Sequence, residues 1–267
     1  MFFDYHLHTA RCGHASGTMQ QYLNAARSRG LREVGFADHA PIYWLPVNNR
    51  SSELAMNANE LSRYIEDVYN LQKTNSDIVI KLGLEVDYIP GYEEKAKQIL
   101  DNLPLDYVLG SVHYIDGWGF DNPDFIHVYD MWDLFELYER YFNILCAAAK
   151  SKLFDVIAHP DLIKKFGFKP ENDIVEFYKE AAKTFAENGV CVEVNTAGLR
   201  VPAKEIYPCY EFLKFIYKYD VPVTVGSDAH KPEHVGYGFK TALDLIRSVG
   251  YKYVVLFNRR RRIELKI

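Results

Sequence analysis

Phe2-Phe3-Asp4-Tyr5-His6-Leu7-His8-Thr9 opens with a β-rich run, Phe2–Tyr5, and passes directly into two histidines spaced i and i+2. In an extended chain those positions share a face, so both imidazoles aim one way while Leu7 packs on the other side. The same device recurs along the chain. Glu33–Ala37 leads to Asp38-His39, Ile78–Leu84 to Glu85, Tyr107–Val112 to His113, and Asp155–Ala158 to His159. Val190–Asn195 leads to Arg200, and Pro222–Gly226 to Asp228-Ala229-His230. Each β-rich run thus ends in a polar side chain, and most of these bind metals well.

Helical patterns separate the runs. Met19–Arg29 ends before Gly30, a C-cap residue, and Asn59–Leu71 places Leu61, Ile65, Val68 and Leu71 on one face. Others are expected over Glu93–Asn102, Met131–Ser151, Asp173–Asn188, Tyr210–Tyr219 and Phe239–Ser248. An eighth strand, Tyr251–Phe257, is expected to precede a short tail. Strands alternating with helices imply parallel pairing through right-handed crossovers. Repeated about seven times without a linker, the pattern predicts an α/β barrel, one domain over residues 1–267. In a barrel, the C-terminal strand ends form a single rim.

Composition narrows the function. The chain has 267 residues, 48% hydrophobic and 25% charged, with 16 Gly and 11 Pro, which excludes a disordered or fibrous protein. Its net charge of −5 argues against non-specific nucleic-acid or membrane binding. Arg259-Arg260-Arg261-Arg262 is the one dense basic run and reads as a solvated turn. Cys12, Cys146, Cys191 and Cys209 lie far apart, with no C-x-x-C pair, so neither a disulfide framework nor a thiolate zinc site is expected. Cys12 reads as packing. No run reaches the roughly 18 apolar residues of a membrane span. The N-terminal Met1–His6 lacks signal-peptide character. The expected compartment is the cytoplasm.

Seven of the nine histidines fall on the rim set, counting His14 on the first loop. His127 is off the pattern and expected at the surface; His234 precedes a helix and is assigned no role. Taken singly, each motif has an ordinary structural reading, as a strand pair, a capped turn or a surface ion pair of Glu85 with Lys81 or Lys95. Their joint placement at one end of so many strands favours a metal site. Imidazole and carboxylate donors suit Zn²⁺, Fe²⁺ and Mn²⁺. Nine candidate ligands, His6, His8, His14, His39, Glu85, His113, His159, Asp228 and His230, exceed the needs of one ion, so two or three ions sharing a carboxylate are expected.

Asp4-Tyr5-His6-Leu7-His8-Thr9, Ala37-Asp38-His39, Gly83-Leu84-Glu85, Gly110-Ser111-Val112-His113, Ala158-His159-Pro160 and Gly226-Ser227-Asp228-Ala229-His230 resemble the ordered motifs of the polymerase and histidinol phosphatase (PHP) superfamily. Arg11-Cys12-Gly13-His14-Ala15, Lys164-Lys165-Phe166-Gly167 and Val194-Asn195-Thr196-Ala197-Gly198-Leu199-Arg200 are similar to its monofunctional histidinol phosphatase branch. The resemblance implies a distorted (β/α)₇ barrel with a trinuclear centre. His6, His8, Glu85 and Asp228 would hold the first ion. Glu85 would bridge to a second held by His113 and His159, and His14, His39 and His230 would hold the third. Asp4 and Asp38 are expected to accept the outer N–H of ligand imidazoles.

The implied activity is hydrolysis of L-histidinol phosphate in histidine biosynthesis, with Glu85, Asp228 and Arg200 carrying the chemistry. Arg200, Lys164 and Lys165 are expected to meet phosphate, Arg11 less so. Trp118 and Phe120, beside Tyr114, are expected to form an aromatic wall for the organic group. The rival enzyme reading is another phosphoesterase of the superfamily acting on nucleotides or nucleic-acid ends. A rival of another class is a metal-stabilised module without catalysis.

Overall fold

Parallel strands covered on both faces read as nearly continuous apolar runs. Cys191-Val192-Glu193-Val194-Asn195 and Val223-Thr224-Val225-Gly226 are buried throughout in this way. The computed structural model describes residues 3–267; Phe2, where the first strand was expected to start, lies outside the described residues. Strands β1 (Phe3–Leu7), β2 (Glu33–Phe36), β3 (Val79–Asp87), β4 (Tyr107–Ser111), β5 (Val156–Ile157), β6 (Cys191–Asn195) and β7 (Val223–Gly226) pair in chain order, all parallel. Beyond β7 the ring closes on β1: Ala229 N donates to the His6 carbonyl and His8 N to the Ala229 carbonyl, each at 3.0 Å. The architecture is the distorted (β/α)₇ barrel expected, in a single domain.

Helices α1 (Met19–Ser28), α2 (Leu61–Thr74), α3 (Glu93–Leu100), α4 (Leu134–Lys150), α5 (Val175–Asn188), α6 (Tyr210–Lys218) and α7 (Phe239–Val249) surround the strands. Thr18 and Gln21 form a capping box that starts α1, and Gly189, at φ +65°, ends α5. Helix α4 begins later than its pattern suggests, because the Asp133 side chain accepts from Phe135 N and Glu136 N and so sets the N-cap. The preceding Pro123–Met131 forms 3₁₀ turns.

The expected tail is instead a strand. Here β8 (Tyr253–Asn258) and β9 (Arg261–Lys266) make an antiparallel hairpin. Its two-residue turn, Arg259-Arg260, has φ of +49° and +61°, the backbone that such turns require. Asp106 holds the turn, accepting Arg259 N at 3.1 Å on its side chain and Arg260 N at 2.7 Å on its carbonyl. The basic run is therefore only partly solvated: Arg260 Nε lies 2.7 Å from Asp155 Oδ2, and Arg262 donates to the Gly189 carbonyl.

The hairpin caps the barrel floor. Tyr107 stacks on Tyr5 with ring centroids 4.9 Å apart, and the Phe257 ring lies 6.1 Å from Tyr107 and 6.4 Å from Tyr5. Tyr107 crosses the interior two residues below the level of Glu85 and donates to the Tyr5 carbonyl at 2.7 Å. A Cβ at Gly83 would come within 2.3 Å of its ring, so only glycine leaves room for it. Among the described residues, no helix is long and apolar enough to cross a membrane.

Phe257 is 1% exposed in this floor. Phe257→Ala is expected to cost about 3–5 kcal/mol in denaturant unfolding, the usual cost of deleting a buried aromatic ring. The control Ile263→Ala, on the exposed face of the same hairpin, should stay within about 0.5 kcal/mol.

Candidate metal centre

Glu85 lies inside β3 rather than at its end, because the strand continues to Asp87. It is 2% exposed and surrounded by imidazoles from four other strand ends. Its Oε2 lies 3.2 Å from His6 Nε2, 3.5 Å from His8 Nε2 and 3.1 Å from His39 Nδ1. Its Oε1 lies 3.0 Å from His159 Nε2 and 3.7 Å from His113 Nε2, and accepts from Ser111 Oγ. Each carboxylate oxygen thus faces its own group of imidazoles, the arrangement a bridging carboxylate needs.

Asp228 completes the first group, with Oδ1 3.3 Å from His8 Nε2 and 3.9 Å from His6 Nε2. The His230 ring stacks at 3.9 Å on His8, and His14 stacks at 4.7 Å on His230. All nine expected ligands therefore converge. Two of them stand at unusual backbone angles, His159 at φ +27° and Asp228 at φ +53°. Gly226, just before this turn, lets two groups approach: a Cβ there would lie 2.0 Å from Glu193 Oε1 and 2.6 Å from His6 Cβ.

Outer hydrogen bonds fix which nitrogen faces inward. His6 Nδ1 lies 2.7 Å from Glu193 Oε1, and His113 Nδ1 lies 2.7 Å from Asp87 Oδ1. His14 Nδ1 meets the carbonyls of Cys12 and Glu53, both at 2.9 Å. Carbonyls only accept, so Nδ1 of His14 carries a proton and Nε2 is the ring nitrogen left for another partner. His8 Nδ1 lies 3.5 Å from Asp38, which faces it as expected but without a hydrogen bond. Asp4 does not play that part: its oxygens accept Ser227 N at 2.9 Å and Gly236 N at 2.8 Å, pinning the loop after β7. Glu193 holds His6 instead.

Electrostatics follow from this packing. Burial pulls the His6 imidazole down, but Glu193, Glu85 and Asp228 outweigh it and hold the group well above its usual range. Burial likewise lowers His113, yet Asp87 lifts it to about 9. Burial raises Glu85 and Asp228, but the surrounding imidazoles hold both carboxylates well below their ordinary values. His39 and His230 are driven well below the usual histidine range by burial and by neighbouring positive imidazoles, so their lone pairs are available.

His6 Nε2, both ring nitrogens of His8 and Glu85 Oε2 are buried without a hydrogen-bond partner. Each such atom would cost about 1–3 kcal/mol if nothing bound it. Clustered beside a cavity, they fit divalent cations with nitrogen and oxygen ligands. Three-ligand groups at contact range include His6-His8-Asp228, His39-Glu85-His113 and His8-His39-His230.

The cavity above the cluster has a volume of about 810 Å³. Arg200 lines it, donating through Nη2 to the Ser227 carbonyl at 2.6 Å and the Asp228 carbonyl at 3.0 Å, while its buried Nη1 has no partner. Lys165 also lines it, with Nζ 3.0 Å from Asp121 Oδ2. Three expected substrate contacts fail. Lys164 is 2% exposed, its Nζ 2.7 Å from Asp161 Oδ2 and 3.0 Å from Glu205 Oε2, so it clamps two loops together below the cavity wall. Phe120 is fully buried against Tyr141, and Trp118 packs at 4.9 Å on Tyr129; neither lines the cavity. Tyr114, expected beside them, does line the cavity, together with Leu54 and Phe125, and His234, assigned no role from sequence, reaches it too. Arg11 pairs with Asp67 and Glu60, and His127 is exposed.

Glu193 and Asp87 were missed. Asp87 is readable as the i+2 partner of Glu85, and Glu193 as the lone charge within an otherwise apolar buried strand. Glu193→Gln keeps the shape but removes the charge held against His6 Nδ1. It is expected to weaken metal binding about 10- to 100-fold by equilibrium dialysis, with unchanged far-ultraviolet circular dichroism.

Residues 4–197 match the PHP domain family, and residues 210–244 match the PHP-associated family. A probable histidinol-phosphatase of Deinococcus radiodurans is 39% identical over 96% of this chain and 97% of its own length. The histidinol-phosphatase of Bacillus subtilis is 28% identical over 90% of this chain and 98% of its own. In fold, the chain is similar to the crystal structure of histidinol phosphate phosphatase from Lactococcus lactis, solved with zinc, L-histidinol and phosphate. That likeness has a TM-score of 0.84 and 20% identity over 98% of each chain. With one family model covering most of its length and a full-length relative this similar, the chain belongs to the PHP domain family, in its histidinol phosphatase branch.

Proposed function

We propose that this protein is a metal-dependent phosphatase that hydrolyses L-histidinol phosphate to L-histidinol and phosphate in histidine biosynthesis. The observation that carries the reading is Glu85 with each carboxylate oxygen facing a separate group of imidazoles beneath a cavity lined by Arg200 and Lys165. His6, His8, Glu85 and Asp228 would hold one ion; Glu85, His113 and His159 a second; and His14, His39 and His230 a third. Two to three Zn²⁺, Fe²⁺ or Mn²⁺ ions fit this donor set. When bound, such ions supply water acidified to near-neutral pKa and neutralise charge on phosphate oxygens.

The protein's own residues position the ester. Arg200 is anchored through Nη2 and offers its unpartnered Nη1 to a phosphate oxygen. Asp228, braced by Asn195 Nδ2 at 3.3 Å, and Glu85 supply the negative charge that holds the cations. Phe125, 48% exposed on the cavity wall, offers a ring face to a planar organic group. The whole chain, residues 1–267, serves as one catalytic unit, since the hairpin near its end caps the barrel that its first strand begins. Its partner is a small phosphate monoester, with neither nucleic acid nor membrane engaged. Four buried, unpaired cysteines suit the cytoplasm.

The test is phosphate release from L-histidinol phosphate beside nucleoside monophosphates and glycerol phosphate, with Mn²⁺ or Zn²⁺ added. Preference for histidinol phosphate is expected; preference for a nucleotide would overturn the substrate assignment. Arg200→Ala removes a charge-assisted contact of about 1.5–3 kcal/mol and should lower kcat/KM for every ester roughly ten- to a hundredfold. Phe125→Ala should instead narrow the ratio of kcat/KM between histidinol phosphate and glycerol phosphate. Equal losses on both esters would remove Phe125 from substrate recognition.

A further inference from the structure

Cys12 was read from sequence as packing, and it is indeed fully buried. Its surroundings are not those of a packing residue. One ligand atom each from Cys12, His14 and His230 lie within 4.8 Å of one another, and Cys12, His8 and Asp38 form a second such group. His8 beside the thiol is fully buried, and neither ring nitrogen makes a hydrogen bond although Asp38, Glu85 and Asp228 approach them at 3.3–3.5 Å. The Cys12 carbonyl also fixes the His14 ring by accepting its Nδ1–H, which leaves Nε2 for another partner. The short turn Ala10–Cys12 carries the sulfur, and His14, just past Gly13, brings a ring nitrogen within 4.8 Å of it. Gly13 locks that turn: at φ +84°, a Cβ there would lie 2.1 Å from the Ser52 carbonyl oxygen.

We propose that Cys12 Sγ is a metal ligand, a thiolate that joins His14 and His230 on one divalent cation and biases that position toward thiophilic ions. The inference rests on the metal centre proposed above. As the metal–sulfur bond forms, the S–H that donates to the Thr9 carbonyl at 3.2 Å loses its proton to solvent. Thiolate is a soft ligand, so Zn²⁺, Co²⁺ and Cd²⁺ gain over Mn²⁺ at this position, while positions with only nitrogen and oxygen donors do not discriminate in this way. Among the described residues, no other cysteine belongs to a three-ligand group, so a metal–sulfur signal reports Cys12 alone.

The experiment is Co²⁺ titration of the metal-stripped full-length protein, followed by absorption spectroscopy. The expected result is a near-ultraviolet thiolate-to-cobalt charge-transfer band in the wild type. Cys12→Ser should lose that band while keeping the visible bands of cobalt at the remaining positions. Absence of the band in fully loaded wild type, or its persistence in Cys12→Ser, overturns the proposal. X-ray absorption of the Zn²⁺-loaded wild type needs no variant: a zinc–sulfur distance of about 2.3 Å is expected, and a shell of nitrogen and oxygen alone overturns the assignment. If the stripped protein takes up no Co²⁺ or Zn²⁺, both this inference and the metal centre fail. If it takes up both without a sulfur signal, only Cys12 is excluded.

Discussion

A carboxylate at the centre of a barrel rim loses its water shell, and in a dry interior that loss is severe unless positive charge replaces it. Glu85 meets this constraint with imidazoles from the ends of β1, β2, β4 and β5, all within 3.7 Å. Neighbouring elements are arranged to keep those rings in place. Glu193 and Asp87 hold outer ring nitrogens, and Gly226 clears space for Glu193 against His6. Glu193, Glu85 and Asp228 hold His6 above its usual range, while burial and neighbouring imidazoles hold His39 and His230 below theirs.

The strand–helix alternation and the nine converging side chains were legible in the sequence because both depend on local pattern. A residue i+2 from a ligand shares its face, and a polar residue at a parallel strand's end falls on the rim. Depth was not legible. Lys164 and Lys165 are adjacent and chemically alike, yet Lys164 is sealed against Asp161 and Glu205 whereas Lys165 reaches the cavity. Tertiary packing of the 201–209 segment decides between them. Trp118 and Phe120 failed for the same reason: an aromatic pair after a strand packs or lines a cavity according to what lies behind it, here Tyr129 and Tyr141. The β8–β9 hairpin escaped notice because its turn is Arg-Arg rather than a glycine-containing pair, and its backbone is held by Asp106, far away in sequence.

The two ends of the barrel divide the work. The floor is aromatic and closed, with Tyr5, Tyr107 and Phe257 in mutual contact, and supplies hydrophobic stabilisation. The rim is polar, and its buried donors are only partly satisfied by protein groups. That separation lets the rim tolerate groups that would be destabilising in a core, since the floor holds the strands in register beneath it.

Closure and site assembly share the same hydrogen bonds. The two bonds between Ala229 and the His6 and His8 backbone complete the ring of strands. They also fix the flanking side chains, because Asp228 and His230 lie on either side of Ala229 as His6 and His8 lie on either side of Leu7. Asp228 can take φ +53° because its neighbours are held on both sides, by Ser227 N on Asp4 and by Ala229 N on the His6 carbonyl. Opening this seam would therefore unclose the barrel and separate Asp228 from His6 and His8 at once. Conversely, any cation gripped by residues from β1 and from the loop after β7 braces the seam directly, which couples ligand binding at the rim to the stability of the whole fold.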